Sequence, residues 1–236
     1  MACGKERMRA TLALHQAVAV PGPIEDGCVA DQCGSKLGPK DQRGGIAMKT
    51  DWLQLTVILA ISILPAWVSA GKVPVVGDQL VAMHLDAPAS LDHRSYLGLS
   101  AEARFSPIDI SGSLLIIEIF SMYCPHCQRE APAVNRLYQA IQASQSLRNR
   151  VKMIGIGVGN STFEVDHFRK HYQIGFPLFP DEDFVIHQAL GEVRTPFFIV
   201  AAIGSKDAGK VLWTGSGNMD PLETFISRLN NLLADR

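Results

Sequence analysis

Residues 114–127 read Leu114-Leu115-Ile116-Ile117-Glu118-Ile119-Phe120-Ser121-Met122-Tyr123-Cys124-Pro125-His126-Cys127. The first half is a short apolar run with β-branched residues, the pattern of a buried strand, and from Cys127 to about residue 143 apolar residues recur at helical spacing. Two cysteines separated by two residues at such a strand-to-helix junction can close a strained small-ring disulfide. Cys124 is expected to cap the helix N-terminus, with Pro125 in the first turn, where its missing N–H costs nothing. The helix dipole and free N–H groups stabilise a thiolate there, and a protonated His126 would add positive charge. Cys124 is thus expected to be the attacking sulfur, with Pro125 and His126 tuning its pKa.

Half of a zinc site has the same spacing, but zinc needs two further ligands. The other cysteines, Cys3, Cys28 and Cys33, all precede a hydrophobic segment that separates them from Cys124. The strand-then-helix context favours redox chemistry, with no metal and no cofactor.

From Glu118 to Cys127 the chain resembles the active-site segment of the thioredoxin superfamily, and its Pro125-His126 dipeptide and a glutamate six residues before the first cysteine are similar to DsbA. A second landmark is Thr195-Pro196 followed by Phe197-Phe198-Ile199-Val200, which resembles the superfamily's cis-proline opening a central strand. The resemblance covers the chain from about residue 75 to its end. It implies an α/β thioredoxin fold with an N-terminal extension and an inserted β-α unit between the CxxC helix and the cis-proline strand. The 68 residues between Cys127 and Pro196 exceed the connection of plain thioredoxin and are too few for the large helical domain of DsbA. They resemble the insertion of TlpA- and ResA-type secreted thioredoxins, which peroxiredoxins share. Ser121-x-x-Cys124 is similar to the end of a peroxiredoxin motif, but Ile117 stands where that motif has proline, which weighs against peroxide reduction.

The resemblance implies a protein thiol-disulfide oxidoreductase. Cys124 would form a mixed disulfide with a protein substrate and Cys127 would resolve it. Thr195 and Pro196 would lie against the cysteines and bind the substrate backbone. A carboxyl in an apolar strand is costly when charged, so the pKa of Glu118 should rise and let it exchange a proton with Cys127; the alternative is a structural glutamate satisfied by a nearby donor. The scaffold points to a TlpA/ResA-like reductase. The dipeptide alone suggests a DsbA-like oxidant with a potential above that of thioredoxin, and a copper-handling protein using both cysteines and a histidine is a third reading.

Residues 52–70 carry no charge, Lys49 precedes them, and Val68-Ser69-Ala70 ends the run with small residues, as in a cleaved secretory signal starting at Met48. An uncleaved membrane anchor is the alternative. Residues 1–47, rich in Gly, Pro and scattered charges, read as an unfolded upstream extension, leaving 71–236 as one thioredoxin-like domain. That segment holds 15 Lys+Arg against 17 Asp+Glu, which gives no basic patch for nucleic acid. The expectation is a periplasmic or extracytoplasmic monomer, its active site recharged by a membrane-bound redox partner.

Further along, residues 151–158 read as a strand whose glycines lack nucleotide-loop spacing. Ser161 and Glu164 form a capping box for a helix to about residue 172. Residues 176–180 read as extended, 184–190 as a short helix, and 197–200 with 210–214 as a hairpin. Asp220 is the expected N-cap of the last helix, with Pro221 at N1 and Glu223 at N3. His167 and His171, spaced i, i+4, read as solvated; Tyr123 as a shield for the sulfur; Phe197 and Trp213 as core.

Overall fold

The computed structural model describes residues 71–100 and 102–236. The signal or anchor segment, its Met48 start and residues 1–47 lie outside the described residues. Among those described, no helix is long and apolar enough to cross a membrane.

A five-stranded sheet forms the centre, and the reason lies in β3 (Leu114–Phe120), all seven of whose residues are buried. An apolar run without polar alternation is stable only with both faces covered. Its even-numbered residues Leu114, Ile116 and Phe120 pack with Val134, Leu137 and Ile141 of α2 (Pro125–Ala143) and with Phe225 and Leu229 of α5 (Leu222–Ala234). The odd-numbered Leu115, Ile117 and Ile119 pack on the opposite side with Leu85, Leu97, Phe105 and Ile110 of the N-terminal segment. That segment forms β1 (Leu85–Asp86), α1 (Leu91–Leu97) and β2 (Arg104–Phe105), with β1 and β2 paired antiparallel.

β4 (Val151–Val158) pairs parallel with β3, and β5 (Leu178–Asp181) parallel with β4. On the other side β6 (Phe197–Ala202) runs antiparallel to β3, and β7 (Val211–Ser216) antiparallel to β6. The order β5-β4-β3-β6-β7 puts β3 in the middle, so the loop leaving its C-terminal end is supported from both sides. α3 (Thr162–His171) and α4 (Val185–Ala189) supply the connections between β4 and β6. This is the α/β thioredoxin fold, with β4-α3-β5-α4 between the CxxC helix and the strand after Pro196.

Local chemistry sets most boundaries. The Ser161–Glu164 capping box is present in both directions, and Gly191, with φ 70°, follows the short α4. Two details differ from the sequence reading. The N-terminal segment carries a helix, started by Ser90 accepting the His93 N–H and ended by Gly98 at φ 66°. At α5 the N-cap is Pro221, not Asp220, and no side chain caps it. The Asp220 carboxylate instead pairs with the Arg228 guanidinium, which also lies 4.7 Å from the centre of the Trp213 ring. A charged partner two turns along outcompetes a neutral backbone N–H for the carboxylate.

Candidate active site

The N-terminus of α2 is built as its sequence dictates. Cys124 is the N-cap, in extended conformation at φ −81° and ψ 114°, and Pro125 follows at N1. The Cys124 N–H bonds back to the Ser121 carbonyl at 3.1 Å, so residues 121–124 form a tight turn off the end of β3. Both thiols are free; Cys124 is half-buried and Cys127 has no exposed surface.

The two sulfurs meet opposite environments. Partial burial pushes the Cys124 thiol up, but hydrogen bonds from the Thr195 side chain, from Cys127 and from the His126 backbone outweigh it. Its pKa therefore lies below the ordinary thiol value. In the protonated form the thiol donates to the Thr195 carbonyl at 3.4 Å. The Thr195–Pro196 peptide is cis. Cys127 is pushed well above the ordinary value, first by burial and also by the negative charge of Glu118.

His126 is exposed on the turn beside Arg129. Its Nδ1 lies 2.9 Å from the Arg129 Nη2, and a guanidinium can only donate, so Nδ1 is the acceptor. The fixed positive charge near the turn is Arg129, one helical turn along. Tyr123, next to the nucleophile, is anchored to the start of α3. It is 64% exposed, and its hydroxyl bonds to the Glu164 carboxylate of the capping box, which raises the tyrosine's pKa and lowers the glutamate's.

Beneath the cysteines, Glu118 is 3% exposed and lies on the β3 face that meets α2. Burial raises its pKa to about 8, and the charge of Glu130 adds to the effect. Glu130 was not singled out in the sequence. It is buried three residues after Cys127, and its Oε1 accepts the Met219 N–H at 2.9 Å, tying the β7–α5 loop to α2. The available signal was an acid on the apolar stripe of the helix, in step with Cys127, Ala131 and Val134.

Asn160 and Gln128 were also missed. Asn160 Oδ1 accepts the Met122 N–H at 2.9 Å and Gln128 Nε2 donates to the Met122 carbonyl at 2.7 Å. Met122, two residues before Cys124, is thereby held at both its backbone N–H and its backbone carbonyl. Asn160 is fully buried, and its Nδ2 has no partner. Such an orphaned donor is a cost that native structures carry where a position is held for another reason.

The structure thus brings Cys124, Cys127, Glu118, Thr195 and Pro196 to the sheet's C-terminal end, with Pro125 and His126 on the exposed turn. His167 and His171 are exposed on α3, their rings stacked at 6.1 Å, and Phe197 is core. Trp213 is only partly buried and packs edge-on against Phe225. Among the described residues no group of three or more His, Cys, Asp or Glu side chains could hold a metal ion.

Residues 97–212, which include the whole of this site, match the AhpC/TSA family. The chain carries a thioredoxin-superfamily domain of AhpC/TSA type. It is similar to the thiol-disulfide oxidoreductase ResA of Halalkalibacterium halodurans, 21% identical over 171 residues that cover 72% of this chain and 89% of that protein. ResA of Bacillus subtilis is 27% identical over 127 residues, 53% of this chain and 64% of that one. Among solved structures, a Bacteroides thetaiotaomicron protein described as a candidate protein disulfide isomerase superposes with a TM-score of 0.51. Its identity is 15%, over 70% of this chain and 94% of that chain, a likeness that speaks to the fold.

Proposed function

We propose that this protein reduces disulfides in exported proteins through the Cys124–Cys127 pair, as a TlpA/ResA-like thiol-disulfide oxidoreductase. The observation that carries the reading is the opposite tuning of the two sulfurs: an accessible thiol with a lowered pKa three residues from a buried thiol with a raised one. Only the first can meet a second protein, and only the first is readily a thiolate.

The Cys124 thiolate attacks one sulfur of a substrate disulfide; that S–S bond breaks, a substrate thiolate leaves, and a mixed disulfide forms. Cys127 then loses its proton and attacks the Cys124 sulfur, and the second substrate thiolate leaves. Two electrons pass from the cysteine pair to the substrate, which gains two thiols once protonated. Glu118, in its ionised form, takes the Cys127 proton; with a pKa of about 8 it stands between a raised thiol and water. Thr195 and Pro196 border the reacting sulfur, where substrate backbone would lie.

The apolar segment 52–70 supports export, by cleavage after Ala70 or by retention as an anchor. In that setting a membrane-bound redox partner would re-reduce the pair, and the domain would work as a monomer. The test is substrate capture: Cys127→Ser should accumulate mixed disulfides through Cys124 in exported proteins of the native host. Capture by Cys124→Ser instead would reverse the roles.

A further inference from the structure

Two histidines on α3 take no part in the exchange chemistry. His167 and His171 stand one helical turn apart, at i and i+4, so their side chains leave the helix on one face. Both are exposed, and their rings lie nearly parallel, with 10° between the planes and 6.1 Å between the centres. Elsewhere the imidazoles are engaged: His126 has a ring nitrogen at Arg129, and His187 has one at the Val193 carbonyl. Among the described residues His167 and His171 make no such bond, which leaves their nitrogens for a ligand from solution.

The pair is braced at both ends. Phe163, one turn earlier, stacks on the His167 ring at 6.4 Å, and Tyr172 meets the His171 ring edge-on at 4.6 Å. The helix beneath is fixed at its start by the Ser161–Glu164 capping box and held to the core by Val165 and Phe168. Bringing both rings to one ion therefore costs little further ordering. Neighbouring cations are already compensated, since Arg169 and Lys170 both pair with the Asp166 carboxylate. Less positive charge then opposes an incoming cation.

We infer that His167 and His171 form a two-imidazole site for a divalent late transition-metal ion, with Cu²⁺ preferred to Ni²⁺ and Zn²⁺. Imidazole nitrogen suits these ions, and where no further side chain imposes a geometry, affinity follows their intrinsic order. Metal–nitrogen bonds of about 2.0–2.1 Å, added to the half-widths of the two rings, span the 6.1 Å between the ring centres. Rotation about the soft Cβ–Cγ bonds turns one nitrogen of each ring towards a common point. Water fills the remaining positions, so the ion is exchangeable, unlike one held by the four ligands of a structural centre. Zinc hydrolases with this histidine spacing carry a glutamate directly after the first histidine. Here that place is taken by the buried Phe168, so the pair offers ligands without a base and the site binds rather than hydrolyses.

The test is a Cu²⁺ titration of the full chain, oxidised beforehand so that Cys124 and Cys127 supply no thiolate. His167→Gln and His171→Gln should each weaken one equivalent of binding about a hundredfold, the advantage that a second ligand gains by being held beside the first. A measurement on the wild type alone supports the same reading without any variant. The electron paramagnetic resonance spectrum of that equivalent should show coupling to two imidazole nitrogens, and equimolar Zn²⁺ should leave it in place. Wild-type affinity in either folded variant, or a spectrum with one imidazole nitrogen or none, would overturn the site. Displacement by equimolar Zn²⁺ would overturn the preference for copper.

Discussion

The rim and the floor of this site hold the same kinds of group in opposite states. At the rim, Cys124 lies among donors at a helix N-terminus, and the Glu164 carboxylate, bonded by Tyr123 and Ser161, is held below its usual range. On the floor, Cys127 and Glu118 are desolvated and both are pushed towards their protonated forms. Chemical identity alone does not separate an attacking sulfur from a resolving one. Three residues of helix do, by carrying the second cysteine from the exposed cap into the apolar seam between α2 and β3.

The largest expected effect follows from removing the rim. Cys124→Ser should abolish disulfide exchange, because Cys127 has no exposed surface with which to meet another protein. Turnover with a protein disulfide measures it, and residual exchange through Cys127 would show that the floor opens in solution.

The next largest comes from the floor. Glu118→Gln should slow resolution of the mixed disulfide about ten- to a thousandfold while leaving the first attack by Cys124 unchanged. Single-turnover kinetics separate the two steps. In the wild type the resolving step should rise with pH to about 8 and level off above it, as Glu118 ionises; this rise should vanish in the variant. An unchanged resolving rate in a less stable variant would leave Glu118 as a structural hydrogen-bond partner.

The same carboxyl gives a stability signature. Its folded pKa of about 8 lies above its ordinary value of 4.5, so between these pH values the folded state holds a proton that the unfolded chain releases. Wild-type stability should fall as pH rises through this window, and Glu118→Gln should lack that slope. The variant should gain on the wild type by roughly 2–5 kcal/mol at pH 8 and show little of this gain near pH 4.5, as denaturant titrations at the two pH values would reveal.

How much of this contrast could be read from the chain depends on how local its causes are. The apolar run 114–120, the Cys124-Pro125 cap and the Ser161–Glu164 capping box are set by neighbours in sequence, and the strands and helices they imply are present. Asp220 looked like a cap because nothing in the local sequence shows the Arg228 guanidinium folding back onto it. β1 and β2, at two residues each, are too short to have a period. Asn160 acts on Met122 across 38 positions, so its role is a product of tertiary structure. Glu130 is the instructive omission, since the helical stripe already placed it beside Cys127.

A smaller effect tests the support between rim and floor. Asn160→Ala frees the Met122 N–H and should cost about 1 kcal/mol, the loss of the bond being partly offset by removal of the unpartnered Nδ2. Thermal melts with the Cys124 reactivity measured alongside would show whether the loop before the nucleophile loosens.

The most direct test of opposite tuning is the pH dependence of alkylation at each cysteine of the reduced protein, resolved by mass spectrometry. Cys124 should react with a midpoint below that of an ordinary thiol, and Cys127 should stay unmodified across the range in which the fold survives. Two cysteines that alkylate together at an ordinary thiol midpoint, or Cys127 reacting first, would contradict the account.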